Sequence, residues 1–323
     1  MKRIIFKIFI IVIFIAIIWS AIWAFAAFKI KAEMANLANP INSEQAIISC
    51  DNFSVKGFPF KLDMNCKNGI YINGDDRVTL ANINTSIFLP LPIKVKIIAT
   101  SPLNYSNAFF ASEQELSWSE FVANISIKFF RFEKFQLNMK NIKYIDLLIG
   151  ENLIARANNL TIDLSDNQDK YDKASSTASV DLNVNSENLD ISVANINEAK
   201  LQLFAEISSL PDDIRQFTNP DFLYAWQQAN GQINLLSFDA SDKSSEIKIS
   251  GNIRLENNGY LNGKFAINSN GVIEQISHIV PQGMVPIIFG SPKENGSYQQ
   301  NIRIREGVVY SGIVPITKLV PLF

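Results

Sequence analysis

One histidine, His278, and two cysteines, Cys50 and Cys66, are all that 323 residues offer of the side chains most used for chemistry. Catalysis needs a placed acid, base or nucleophile, and a lone imidazole makes neither a His-based triad nor a histidine metal cluster. His278 sits in "EQISHIVPQG" and reads as a polar residue in or beside a short helix. A glycine-rich phosphate loop, a nucleophile elbow and a metalloprotease helix are also missing. The acid pairs have structural readings: Asp75-Asp76 marks a hairpin turn in "NGDDR", and Asp212-Asp213 opens a helix. The expectation is a protein that is not an enzyme and uses no metal or cofactor.

Basic clusters are scarce too. Outside residues 1–39 the chain keeps 24 Lys/Arg against 30 Asp/Glu, a net charge of −6. No stretch interleaves Lys/Arg with aromatics, so nucleic acid is set aside as a partner.

What is present begins at the N-terminus. Ile8 to Phe28 are twenty-one residues without a charge, about 31 Å of helix against a hydrocarbon core of ~30 Å. Lys2, Arg3 and Lys7 precede the run, which predicts a cytoplasmic N-terminus and an exported body; Lys29 and Lys31 weaken that asymmetry without reversing it. Trp19 and Trp23 lie toward the outer end, where indoles favour the membrane–water interface. The segment reads as a retained signal anchor or as a signal peptide cleaved at Ala24-Phe25-Ala26. Its apolar run is longer than the about 7–15 residues of a signal-peptide core, which favours the anchor.

The cysteines flank "SCDNFSVKGFPFKLDMNC", residues 49–66. From Phe58 the apolar residues alternate: Phe58, Phe60, Leu62, Met64 and Cys66 share one strand face. Ile48 and Cys50 share a parity upstream, Gly57 lets the chain bend, and Pro59 implies an edge or bulge. In an oxidising compartment an even cysteine count is normally paired. A Cys50–Cys66 bridge would contribute on the order of 3 kcal/mol. The alternative is two buried thiols acting as small hydrophobes.

Beyond Pro40 alternation dominates. Ile93 to Ala99, Leu160 to Leu164, Ala178 to Val184, Leu201 to Ile207, Ile247 to Leu255, Leu261 to Ile267 and Ile302 to Tyr310 all read as strands, with short polar turns between many of them. Helices do not separate most of them, so parallel βαβ units are excluded. The fold class is mainly β (α+β): a transmembrane helix, then a long curved antiparallel sheet with a few short covering helices. Those helices are expected over Ser209–Gly231, Asn270–Val280 and Ser112–Ile125. Three regions follow: 1–39 as anchor and juxtamembrane segment, 40–165 as a first β-rich region, and 178–323 as a second with the insert 209–231. The polar stretch 166–177 joins the last two.

The anchor, Gly57-Phe58-Pro59-Phe60 between Cys50 and Cys66, and the ending "GVVYSGIVPITKLVPLF" with its Gly312-Ile313-Val314-Pro315 turn have a precedent. Together they resemble the bacterial domain-of-unknown-function family 2125, found mostly in alphaproteobacteria. The resemblance covers nearly the whole chain, with Lys61 where the family usually has Arg, and it brings no catalytic residues. Residues 244–271 are also similar to hairpins of AsmA-like envelope proteins, whose curled sheets shelter lipid acyl chains.

The expected function is therefore that of a periplasmic protein held on the bacterial inner membrane, binding lipid or another apolar envelope ligand on a sheet face. The alternative is a non-catalytic envelope scaffold without a ligand cavity, whose sheet edges pair with a protein partner.

Overall fold

The computed structural model describes residues 2–40, 46–89, 92–276, 278, 280 and 282–323, with side chains from Phe6 onward except that of Gln282. Met1 and the side chains of Lys2 and Arg3 lie outside the described residues. The chain is mainly antiparallel β and divides into two compact units, 1–122 with 146–152, and 123–145 with 153–323.

The first unit opens with α1 (Lys2–Ala38), a helix of 37 residues, about 55 Å long at 1.5 Å per residue. Five strands follow: β1 (Ile47–Lys56), β2 (Lys61–Asn73), β3 (Asp76–Phe88), β4 (Ile93–Asn107) and β5 (Ser112–Ser117). Each pairs antiparallel with the next. Their sequence dictates this: Leu62, Met64 and Cys66 alternate with Asp63, Asn65 and Lys67, so only a pleated strand can bury the apolar set. The core is small. Ala27 of α1 meets Val55 of β1 and Leu62 of β2, with Trp23, Ile30, Phe53 and Met64 packed around them.

Two expectations fail here. Phe58 and Phe60 are not on the β2 face with Leu62; they lie in the turn before it, 55% and 65% exposed. The cause is local: Gly57 takes φ +107° and its carbonyl accepts the Lys61 N–H at 3.1 Å, which curls residues 57–60 out of the pleat. Nor is there a helix over Ser112–Ile125, which forms β5 and most of β6 (Glu120–Lys128). Cross-strand pairing of Leu116 with Leu103 claims the segment, and the buried Trp118 indole ties it down by donating to the Ala99 carbonyl at 3.0 Å.

The second unit contains most of β6, then β7 (Arg131–Asp146), β8 (Asn152–Asp166), β9 (Thr177–Ile191), β10 (Ile196–Pro211), β11 (Gln232–Ser241), β12 (Glu246–Leu255) and β13 (Leu261–Asn270). It ends with β14 (Tyr298–Arg305), β15 (Val308–Ser311) and β16 (Val314–Lys318). From β7 onward each strand neighbours the next in sequence order. One face carries a continuous apolar row across six strands: Ile162, Val184, Leu203, Phe238, Ile249 and Ile267 are successive cross-strand partners. Each is half-buried. Among the described residues no side chain is sealed below 2% exposure, so these apolar faces are only partly covered.

Helices are short. The expected 209–231 insert resolves into a 3-10 turn, Ile214–Thr218, capped by Asp213, and α2 (Phe222–Gln228). Its N-terminal turn is held by Asn219, whose Oδ1 accepts the Asp221 N–H at 3.0 Å. Residues 209–211 stay in β10 instead, because Leu210 and Pro211 pair with Ala178 and Thr177. The helix expected over 270–280 is α3 (Val272–Ile276); Ser277 and Ile279 lie outside the described residues. A further helix is α4 (Val285–Phe289).

Candidate functional site

The tryptophans, the cysteines and the Gly57–Phe60 motif converge on one place in the first unit, while the Gly312–Pro315 turn belongs to the second. On α1, Trp19, Trp23, Ala27, Ile30 and Met34 recur at three- or four-residue spacing, so they form one stripe. β1 descends beside that stripe. The Trp19 indole Nε1–H donates to the Pro59 carbonyl at 2.8 Å, and the Trp23 indole to the Lys61 carbonyl at 2.9 Å. The Trp23 ring also meets the Phe58 ring edge-on, centroids 5.6 Å apart. The carbonyls of Pro59 in the turn and of Lys61 at the start of β2 thus find donors on the helix.

Around the turn, Phe58, Phe60 and Phe88 are exposed at 55%, 65% and 44%. Phe60 and Phe88 lie close because the Phe60 carbonyl accepts the Leu89 N–H at 2.8 Å and Lys61 pairs with Phe88. Above them, Lys61 Nζ reaches Asp63 at 2.6 Å, and Ser86 donates to the same carboxylate at 2.7 Å. Burial alone would raise the Asp63 pKa; these two donors outweigh it and hold it below the usual carboxylate range.

Higher on the helix is a cavity of about 410 Å³. Ile30 and Met34 of α1 form one wall, Ile48 of β1 and Met64 of β2 another, and Ile83 of β3 and Leu103 of β4 its floor. Of its lining residues only Ser49, Tyr71 and Thr85 bring side-chain oxygens. Its size lies within the ~300–1,000 Å³ of small-ligand sites, and an apolar lining disfavours water.

The disulfide lines this cavity. Cys50 and Cys66 are bonded, with Cα atoms 5.4 Å apart. They are not direct partners: Cys50 faces Gly69 and Cys66 faces Phe53. Gly69 makes the diagonal bridge fit, since a Cβ there would stand 3.2 Å from Cys66 Sγ. The six motif and cysteine positions and the two tryptophans therefore form one assembly. Sequence reasoning missed Ile30, Met34 and Ile83. Ile30 and Met34 stand four residues apart among Lys29, Lys31 and Glu33, an apolar pair in the charged end of α1 that could have marked a packed face.

His278 is elsewhere, its Nε2 2.7 Å from the Val193 carbonyl. Among the described residues no three His, Cys, Asp or Glu side chains gather in a way that could hold a metal ion.

An N-terminal helix long and apolar enough to span a membrane, followed by an antiparallel β body that carries a disulfide, places the chain in the class of β-rich proteins with a long apolar N-terminal helix. Residues 23–319 match the family described as an uncharacterized protein conserved in bacteria, DUF2125, and the chain belongs to that family. No curated protein matches the sequence. No solved structure matches it either.

Proposed function

We propose that the protein is a non-catalytic, single-pass protein of the bacterial inner membrane, N-terminus cytoplasmic and body periplasmic, that binds a lipid acyl chain or another apolar envelope ligand. The observation that carries this reading is the apolar cavity walled by Ile30 and Met34, directly above the part of α1 suited to the bilayer. The half-buried apolar row of the second unit supports it separately.

The packing of α1 supports its retention. Cleavage after Ala26 would remove both indoles that hold the turn and open the Ala27–Val55–Leu62 core. The packing also favours one depth of α1 in the bilayer. With Ile8–Phe28 as the span, Trp19 and its bonded turn would lie about 14 Å below the outer boundary, taking Lys61 and Asp63 into hydrocarbon. With Ile4–Trp23 as the span, also about 30 Å, the indoles and the phenylalanine turn sit at the interface and Lys7 snorkels inward.

The test uses the full chain released in a mild detergent and examined by native mass spectrometry. A co-purifying lipid adduct is expected, and it should be lost in Ile83→Trp and Val78→Phe, which fill the cavity. No adduct, or one unchanged in both variants, overturns the reading.

The scaffold reading draws on Phe109 and Phe110, exposed at 76% and 75% in the turn between β4 and β5. A stoichiometric protein crosslinked to that turn in native membranes would favour it.

A further inference from the structure

The polar face of the second unit holds a cluster of cations. β12, β13 and β14 are consecutive antiparallel neighbours, and their register makes Asn252, Lys264 and Arg303 one cross-strand row. Arg254 pairs with Asn262 beside it, and Arg305 lies two residues along from Arg303 on the same face. All four cations are exposed, and all four line a single concavity of about 490 Å³ together with Gln232 and Asn262.

Three observations set this group apart. Lys264 and Arg303 are direct partners, an arrangement in which like charges oppose each other and destabilise the sheet. Among the described residues none of the four has an ion-pair partner. Other cations of this unit do: Arg156 with Asp190, Lys170 with Glu206, Lys243 with Glu198 and Lys248 with Glu246. The nearby Glu256 accepts the Asn262 amide instead. And this happens in a body with an excess of acids, where carboxylates are the commoner charge.

We propose that Arg254, Lys264, Arg303 and Arg305 form a binding site for a phosphoryl anion. Guanidinium groups present paired N–H donors that match phosphate oxygens, and an ammonium adds a compact charge. Paired residues on adjacent strands have Cβ atoms about 4.5–5.5 Å apart, so Lys264 and Arg303 can reach one phosphate from both sides. Neutral donors from Gln232 and Asn252 complete the ring. The phosphate relieves the opposition that the bare sheet tolerates. The inference does not rest on the acyl-chain reading, whose cavity is in the other unit.

The experiment is calorimetric titration of the full chain in neutral detergent with pyrophosphate and, separately, with dihexanoyl phosphatidic acid. Binding of either is expected, weakening with salt, and Arg303→Gln and Lys264→Gln should each reduce affinity at least about tenfold. Binding of pyrophosphate identifies a soluble phosphate as sufficient; binding of the lipid alone identifies a headgroup. A structural role would not give the second signature: without ligand, Lys264→Gln should raise the melting temperature, while the phosphate-dependent rise disappears. No binding of either probe, or binding that both variants retain, overturns the proposal.

Discussion

The indole of Trp19 and the carbonyl of Pro59 are bonded at 2.8 Å, forty residues apart in sequence, and this bond joins α1 to the turn between the first two strands. One turn later Trp23 repeats the arrangement on Lys61. The tryptophans therefore clamp the helix to the entry of β2.

Replacing either indole by phenylalanine keeps the ring and removes the donor. Trp19→Phe and Trp23→Phe should each cost about 1 kcal/mol, since a carbonyl is left without its partner. Urea unfolding of the full chain in micelles measures the loss. Equal stability in both variants would mean that water serves these carbonyls as well.

Spin labels report the depth of the turn. Both native cysteines are paired, so Phe60→Cys, Phe88→Cys, Phe14→Cys and Asp75→Cys each introduce one free thiol. In vesicles of phosphatidylethanolamine and phosphatidylglycerol, labels at 60 and 88 should favour oxygen over a nickel chelate as relaxant, and the label at 75 the reverse. A label at 14 in hydrocarbon with 60 and 88 in water would keep the span and remove the dipping turn.

Loss of the disulfide should destabilise the first unit by on the order of 3 kcal/mol, as expected for a loop of this length. Cys50→Ser with Cys66→Ser tests it by denaturant unfolding. Gly69→Ala should cost about 1 kcal/mol with the bridge intact, by crowding Cys66 Sγ, and much less once the bridge is gone.

Asp242 gives a pH signature. Burial would raise its pKa, but the Ser244 amide, the Gln275 side chain and the Ser245 amide all donate to the carboxylate and bring it to about 2. A folded value below the unfolded value of about 3.9 stabilises above that pH, and the contribution is lost as pH falls from about 4 toward 2. Asp242→Asn should lower stability at neutral pH and flatten the acid limb of the profile. An unchanged acid limb would show that other carboxylates dominate it.

Much of the strand layout was legible because period-2 alternation is a direct consequence of the pleat, and Leu160–Leu164 or Ile247–Leu255 can satisfy it in one way only. The disulfide was legible from the cysteine count and the inward parity of Cys50 and Cys66. The turn at Gly57–Phe60 was misread, since its phenylalanines keep the alternating parity while a positive φ at Gly57 takes them out of the strand. Ser112–Ile125 was misread because two short segments gave a weak local pattern that pairing with β4 overrode. The cavity was not legible at all: its walls come from Ile30, Ile48, Ile83 and Leu103, which only tertiary packing assembles.

Because Ala27, Ile30 and Met34 belong both to α1 and to the first unit's interior, the strands of that unit are seated on the helix like a deck on its mast. With α1 across the bilayer as proposed, the unit would turn and drift in the plane of the membrane and could not lift away or tumble without first breaking its own core. A soluble fragment beginning after residue 38 would arrive with one side of its cavity torn off.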